Sequence, residues 1–447
     1  MAPPSIEGLP MMCFLQRLVI GATLLIGAQA LASTPDIAGN WQGIAQFGSV
    51  SLRTVVKIGP DGNAGWKAAV YSVDESPTPV PADSLLLKGH HVTVLLNAMH
   101  ARIDGVISAD YKTITGTMTQ GVTVPLILHR ATAATAWILI PNPYTAHFVT
   151  IDRNVQLEVL DWGGTGRPLI LLAGLGDTAH RYAPFASKLT PNYHVYGITR
   201  RGFGNSSASP SGYSADRLAD DVLTVMEVLN ISRPVLVGHS LGGEELSSIG
   251  SRHPEKVAGL IYLDAAFGYA AYDANRGDIR VDLNDLIANL QSLRRAYVTG
   301  QYADLEKEVL ENGLPHMIRD LKEKQKQDVL LPPTLKAAQT QPIESSENGP
   351  IAGIIAGMQK YTQLGNVPVL AIFAVPHNFG PAQWQDPAAW AAYNAADQET
   401  SEAQIAALLR AAPAARIVRL PNASHYVYLT NAADVQREMS AFIGSVP

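Results

Sequence analysis

The stretch VLVGHSLGG, residues 235–243, places a serine between two glycines at the end of a run of Val and Leu. A short apolar run bounded by glycine is typical of a buried strand, and the following LGGEELSSIGSR is compatible with a helix. A serine on so crowded a strand-to-helix turn is held with its hydroxyl exposed at the edge of a sheet. We therefore interpret Ser240 as a nucleophile; the alternative is an ordinary turn with an incidental serine.

A serine nucleophile needs a base within hydrogen-bond reach, and histidine suits this task because it titrates near neutral pH. His425 follows the strand-like run ARIVRLP and precedes a helix predicted over residues 432–443, which makes it the candidate base. His239 adjoins the serine but is expected to point away from it. His253, which opens the turn HPEKV, is expected to be structural.

From Phe148 onward, strand-like runs alternate with helical stretches, which predicts an α/β fold with a mostly parallel sheet. The turn at Ser240, the loop TRRGFGNS (199–206), the strand HPEKVAGLIYLDAA (253–266) and the stretch NASHYVYL (422–429) resemble the α/β-hydrolase family over about 300 residues, 148–447. Residues 266–366, which are helical and charged, are interpreted as a helical cap. The resemblance implies an oxyanion hole formed by the backbone N–H groups of Leu241 and Leu175.

The acid that would orient His425 is the uncertain member of the site. In most of the family an Asp follows the strand after the cap, but here VPVLAIFAV is followed by PHNFGPAQW, with Asn378 at about the expected place. Some branches of the family take the acid from the end of the preceding strand, which in this chain is Asp264. Asp264 is the preferred candidate, and Asn378, Asp386 and Asp397 remain alternatives.

Residues 37–131 have a different texture, with about eight short runs that alternate apolar and polar residues between turn signals. This pattern predicts an antiparallel all-β barrel or sandwich. The stretches AGNWQG (38–43) and TGTMTQG (115–121) resemble lipocalin-like small β-barrels. The Ala-rich residues 132–147 are interpreted as a linker. Such a barrel could hold one small ligand, or its own side chains could fill it.

The N-terminus predicts a secretory signal peptide over residues 1–32, with Arg17, an apolar run and the cleavage signal Ala30-Leu31-Ala32. The only cysteine, Cys13, lies within this segment, which excludes cysteine catalysis and disulfides in the mature chain. We therefore expect a periplasmic or secreted protein with no stable membrane span after signal removal. A net charge of −6 gives no reason to expect nucleic acid as a partner.

These patterns predict a serine hydrolase that cleaves small carboxylic esters and needs neither a metal nor an organic cofactor. One alternative is a peptidase, amidase or other acyl-transfer enzyme that uses the same residues. Another is a ligand-binding protein whose hydrolase domain is degenerate, an interpretation favoured by the missing Asp after the post-cap strand. The sequence leaves the substrate, the role of the β-domain and the oligomeric state open.

Overall fold

The computed structural model describes residues 36–47, 50–62, 65–73, 79–97, 101–120, 122–137, 144–333, 335–336, 349–380, 383 and 386–447. The predicted signal peptide and Cys13 lie outside these residues. From Ile37 to Pro447 the chain packs as one unit. Among the described helices, none combines the length and the apolar character that crossing a membrane requires.

The first part of this unit is an antiparallel all-β domain, as the alternating pattern predicted. Its described strands are β1 Gly39–Phe47, β2 Val50–Pro60, β3 Trp66–Ser72, β4 Val80–Pro81, β5 Ser84–Lys88, β6 His91–Leu96, β7 Ala101–Ile107, β8 Thr113–Gln120 and β9 Val122–Arg130. They form one sheet in the order β4-β3-β2-β1-β9-β8-β7-β6-β5. The short β4 is a strand that the sequence pattern had not separated.

The sheet curls into a half-barrel because its two edge strands are neighbours in the chain. Only Ala82 and Asp83 separate β4 from β5. Ala82 N donates to Ala68 O on β3, and Asp83 N donates to Leu95 O on β6, so these two residues tie both edges together. The concave face buries an apolar cluster around Trp41, whose indole N–H donates to Ile37 O at 2.9 Å.

The second part is an α/β domain. Its described strands are β10 Thr145–Asp152, β11 Val155–Gly163, β12 Pro168–Leu172, β13 His194–Ile198, β14 Val235–His239, β15 Gly259–Leu263, β16 Val369–Ala374 and β17 Arg416–Leu420. The sheet order is β10-β11-β13-β12-β14-β15-β16-β17. The six strands β12 to β17 are parallel to one another. Strands β10 and β11 form an antiparallel hairpin, and β11 also pairs antiparallel with β13.

Helices cover both faces of this sheet, and each face has its own apolar core. The described helices are α1 Ala183–Leu189, α2 Ala215–Val228, α3 Gly242–Arg252, α4 Ile279–Thr299, α5 Ala303–Glu308, α6 Leu314–Leu330, α7 Pro350–Ala356, α8 Pro387–Ala411, α9 Val427–Thr430 and α10 Ala432–Ile443. Helices α4 to α7 lie between β15 and β16, where the sequence lost its strand signal. The sequence favours a helix only over residues 401–411, but these form the last part of α8, which begins at Pro387 and is capped by the Asp386 side chain.

Two boundaries of the expected linker differ from the structure. Strand β10 begins at Thr145, three residues before the predicted start of the α/β region. Residues 132–137 are also fixed to β1, since Gln42 Nε2 donates to Thr135 O at 2.7 Å and Trp137 N donates to Gln42 Oε1 at 3.0 Å. This part of the expected linker is therefore anchored to the β-domain.

Candidate active site

The functional side chains follow the carboxyl ends of neighbouring parallel strands. Parallel pairing places the last residues of β12, β14, β15 and β16 side by side, through Leu172↔Gly238, His239↔Leu263 and Leu263↔Ile372. Ser240 comes directly after β14, Asp264 directly after β15, and the loop of residues 173–178 after β12. Such an edge is where α/β sheets bind ligands.

Ser240 sits on a strained turn that its glycine neighbours make possible. Its φ is +50°, in the left-handed region that side chains rarely adopt, and it is half-buried. A Cβ on Gly242 would lie 2.5 Å from Leu172 O, and a Cβ on Gly238 would lie 2.7 Å from the carbonyl carbon of Gly242. Glycine alone fits both positions, so the sharp turn into α3 is built by steric exclusion.

Asp264 meets His425. Oδ2 of Asp264 lies 2.7 Å from Nδ1 of His425, and Oδ1 accepts from the backbone N–H of Ala374 at 3.1 Å. Burial raises the pKa of Asp264, but hydrogen bonds from His377 and His425 outweigh burial and hold the pKa well below its usual range. The carboxylate is therefore ionised at neutral pH and can orient an imidazole.

The structure places the other three candidate acids elsewhere. The side-chain oxygen of Asn378 accepts from Gly380 N at 2.8 Å, within its own turn. Asp386 caps α8 by accepting from Ala389 N at 3.2 Å. Asp397, on α8, bonds to Nδ1 of His377 at 2.9 Å and lies one histidine removed from Asp264.

His377 is a member of the site that the sequence analysis missed. It is buried and follows β16, and its Nε2 lies 2.7 Å from the same Oδ2 of Asp264 that faces His425. Burial lowers the pKa of His377, but the hydrogen bonds to Asp264 and Asp397 outweigh it and raise the pKa to about 10. His377 is therefore an imidazolium between two carboxylates, and these three groups together carry a net charge of −1.

Asp264, His377 and His425 also bring one carboxylate oxygen and two imidazole nitrogens within 4.8 Å, which is close enough for a metal site. Their hydrogen bonds argue against that use. Both nitrogens of His377 are taken by carboxylates, and a protonated imidazole has no lone pair to offer a metal ion. The cluster is better described as a chain of ion pairs than as a ligand set.

His425 is positioned by His239, the residue that directly precedes Ser240. The rings of His239 and His425 have centroids 4.6 Å apart, and His239 Nε2 lies 3.1 Å from His425 O. Burial, and then the nearby His425, hold the pKa of His239 well below its usual range, so His239 is neutral. His239 thus packs His425 beside the turn that carries Ser240.

The loop of residues 173–178 is fixed against Ser240 by a buried ion pair. A Cβ on Gly174 would lie 3.2 Å from the Ser240 Cβ, so the loop passes directly over Ser240. Arg200 Nη2 donates to Ala173 O at 2.9 Å and Nη1 to Gly174 O at 3.3 Å, while its Nε and Nη2 bond to Glu245 on α3 at 2.8 and 2.7 Å. Arg200 therefore sets the distance between the loop and the helix that would supply the Leu175 and Leu241 amides.

Tyr269 is a further neighbour that the sequence did not single out. It follows β15 within the stretch AAFGYA, is buried, and its hydroxyl lies near the Ser240 side chain. The guanidinium carbon of Arg280 lies 4.8 Å from the centre of the Tyr269 ring, and Arg280 bonds in turn to Asp278. The cap helix α4 is thereby linked to the nucleophile through one aromatic ring.

A family model described as "Alpha/beta hydrolase family" matches residues 169–438, more than half of the chain. The chain belongs to the α/β-hydrolase family. The matched range contains Ser240, Asp264, His377 and His425, so the whole cluster lies within the part shared with the family.

Curated relatives of this α/β-hydrolase include a fluoroacetate dehalogenase of Burkholderia sp, 34% identical over 117 residues, and a bifunctional esterase/perhydrolase of Acinetobacter calcoaceticus, 31% identical over 128 residues. These alignments cover 25% and 26% of this chain, and 38% and 44% of the relatives' own lengths. An esterase of Exiguobacterium antarcticum is a similar solved structure, with a TM-score of 0.44 at 17% identity over 67% of this chain and 100% of that one. The chain therefore spans less than half the length of these curated relatives.

Proposed function

We propose that this α/β-hydrolase cleaves carboxylic esters through an acyl-enzyme on Ser240. The observation that carries the proposal is the 2.7 Å contact between Asp264 and His425 beside the strained serine turn. Because Asp264 holds Nδ1, the Nε2 nitrogen of His425 is the one left to act on the serine. One of the similar proteins is an esterase/perhydrolase, which supports this chemistry.

In the first step, Nε2 of His425 takes the hydroxyl proton while Oγ of Ser240 attacks the ester carbonyl carbon. The carbonyl electron pair moves onto oxygen, and the amides of Leu241 and Leu175 would stabilise that negative charge. The bond to the alcohol oxygen then breaks, and the leaving oxygen takes the proton from His425. Water repeats the sequence on the acyl-enzyme, which releases the carboxylic acid and restores the serine.

Asp264 would stabilise the imidazolium that forms on His425 during both steps. Its carboxylate does not need to accept a proton, because the pKa of Asp264 is held far below that of an imidazolium by its two histidine partners, in spite of burial. His377 and Asp397 would keep this carboxylate in place. The amide Asn378 has no part in this step.

The decisive experiment is to trap the intermediate. A fluorophosphonate should label wild-type protein at Ser240, and intact-mass spectrometry during p-nitrophenyl acetate turnover should show an acetyl adduct that the Ser240→Ala variant lacks. Turnover of an aminoacyl p-nitroanilide with no turnover of the acetate would keep the nucleophile and reject the ester. Absence of labelling and of both turnovers would favour a binding protein with an inactive hydrolase domain.

We also propose that the protein acts in the periplasm or outside the cell. The support is the sequence of residues 1–32, with its apolar run and small-residue cleavage signal. N-terminal sequencing of protein recovered from an exporting host tests this proposal. A mature chain that begins close to Ser33 is expected, and a chain that retains Met1, Met11 or Met12 would contradict it.

A further inference from the structure

A cavity of about 290 Å³ lies between the concave face of the β-domain and the loop that passes over Ser240. The β-domain contributes apolar side chains to its walls, among them Leu52, Val70, Val80 and Met118. The α/β domain contributes Gly176, Asp177 and Thr178 from the loop after β12. Its volume is at the lower end of the range for small-molecule pockets.

The cavity is close to the nucleophile because one short loop borders both. Gly174 packs on Ser240, and Gly176, two residues further, lines the cavity. Two residues of extended chain span at most about 7 Å, so Gly176 in the cavity wall lies within about 7 Å of Gly174, which covers Ser240. A Cβ on Gly176 would meet no atom within 4 Å, so the loop is open on this side.

The two ends of the cavity differ in their lining. Among the described residues that line it, the α/β end has the charged side chains of Asp177 and Arg181 and no aliphatic side chain larger than that of threonine, whereas the β-domain end combines the aliphatic side chains with the polar side chains of Thr54, Tyr71, Ser72, Asp83 and Gln120. Asp177 accepts from the Tyr426 hydroxyl at 3.1 Å, and Tyr426 is the residue after His425. A bound molecule would therefore place its polar end beside the catalytic loops and its apolar end inside the half-barrel.

We propose that this cavity is a subsite for the unbranched alkyl chain of the ester, so that the β-domain forms part of the substrate site. The inference rests on the proposed ester hydrolysis. Water inside an aliphatic wall makes few hydrogen bonds, and its replacement by methylene groups favours binding by about fourfold for each methylene buried. The chain can belong to the acid or to the alcohol, since both are attached at the carboxyl group that Ser240 attacks.

The first test is chain-length dependence. The kcat/KM of wild-type protein should rise with chain length by up to about fourfold per methylene, and then level off once the cavity is full. Two substrate series separate the two ends of the ester: p-nitrophenyl acetate to p-nitrophenyl decanoate for the acyl side, and ethyl to decyl acetate for the alcohol side. A rise in one series assigns the cavity to that side, and a flat response in both series overturns the proposal.

Matched variants link this dependence to the cavity. Val80→Trp and Ser72→Phe add volume to the cavity lining, whereas Leu86→Trp adds it to an exposed residue of β5. The two filling variants should keep wild-type kcat/KM for the shortest ester and lose at least tenfold for the octyl substrate of the responsive series, while Leu86→Trp keeps both. Thermal melts identify a variant that fails to fold. An unchanged chain-length slope in both folded filling variants overturns the proposal.

A binding measurement separates this proposal from the proposed chemistry. Calorimetric titration of methyl octanoate into the Ser240→Ala variant should show saturable binding that becomes at least tenfold weaker when Val80→Trp or Ser72→Phe is added. If no ester is hydrolysed but this pattern is observed, the cavity stands and the ester chemistry fails. If esters are hydrolysed but methyl octanoate binds equally to the filled variants, the cavity proposal fails alone.

Discussion

Nε2 of His377 lies 2.7 Å from Oδ2 of Asp264, the same oxygen that faces Nδ1 of His425. Two imidazole rings thus contact the same carboxylate oxygen. The ring of His377 is protonated and also pairs with Asp397. The positive charge of His377 therefore partly neutralises the negative charge of Asp264 that faces His425. This arrangement gives the site features that variants can test.

Replacement of the nucleophile or the base should remove nearly all activity. Ser240→Ala and His425→Ala should each lower kcat for p-nitrophenyl acetate on the order of a thousandfold or more, because neither step of acyl transfer proceeds without them. Ser187→Ala, at an exposed serine of α1, is the matched control and should leave the rate unchanged. Wild-type turnover in Ser240→Ala would reject the acyl-enzyme.

Three of the four candidates for the residue that orients His425 can be compared directly. Asp264→Asn should lower kcat on the order of 10³–10⁴-fold, because an amide cannot stabilise the imidazolium of His425. Asp386→Asn should have no effect on kcat, since Asp386 only caps α8. Asn378→Ala should also retain activity. Near-wild-type turnover by Asp264→Asn would move the acid to one of the other positions.

His377 should tune the pH dependence of catalysis. His377→Gln keeps a hydrogen-bond donor for Asp264 but removes the positive charge behind it, so the carboxylate acts more strongly on His425. The acid limb of the kcat/KM profile should therefore move to higher pH in this variant, while the protein stays folded. A pH profile identical to that of the wild type would show that the charge on His377 does not affect the protonation of His425.

The same histidine should make stability depend on pH. The pKa of His377 is about 10 in the folded chain, against 6.5 for an ordinary histidine, because its two carboxylate partners outweigh burial. A raised pKa contributes stability that is complete below pH 6.5 and is lost as the pH rises through about 10. Urea unfolding of wild type and His377→Gln at pH 6.5, 8, 9 and 10 should show a difference that narrows with rising pH. A constant difference would contradict the assignment of an imidazolium.

The role of the ion pair between Arg200 and Glu245, which holds the loop of residues 173–178, can be tested by comparing Arg200 with its neighbour Arg201. Arg200→Lys cannot reach Ala173, Gly174 and Glu245 together, so kcat should fall by roughly tenfold to a hundredfold as the loop shifts. Arg201 is equally buried but pairs with Asp221 on α2. Arg201→Lys should therefore lower the melting temperature with little change in kcat. Equal effects of both variants on kcat would show that Arg200 acts through stability alone.

Local patterns were sufficient to predict the two folds and the strand-to-helix turn that carries Ser240. The glycines around Ser240 indicate a tight turn, because only glycine fits there. The alternation of strands and helices indicates a parallel sheet. His377, Arg200 and Tyr269 were missed because their roles depend on contacts between residues far apart in the chain. One signal was present: a buried Asp264 serving as the acid needs a compensating charge, and His377 follows the adjacent strand. In the β-domain, the two-residue β4 was too short to leave a pattern.

Ser240 and Asp264 are joined by one helix and one strand, α3 and β15, within residues 240–264, whereas His425 comes from a distant part of the chain. Everything inserted between Asp264 and β16 is therefore outside the segment that joins Ser240 to Asp264. The spacing of these two groups is a property of a short module, independent of how long or how divergent the following insertion becomes. An exchange of that insertion should therefore leave the relative placement of Ser240 and Asp264 unchanged.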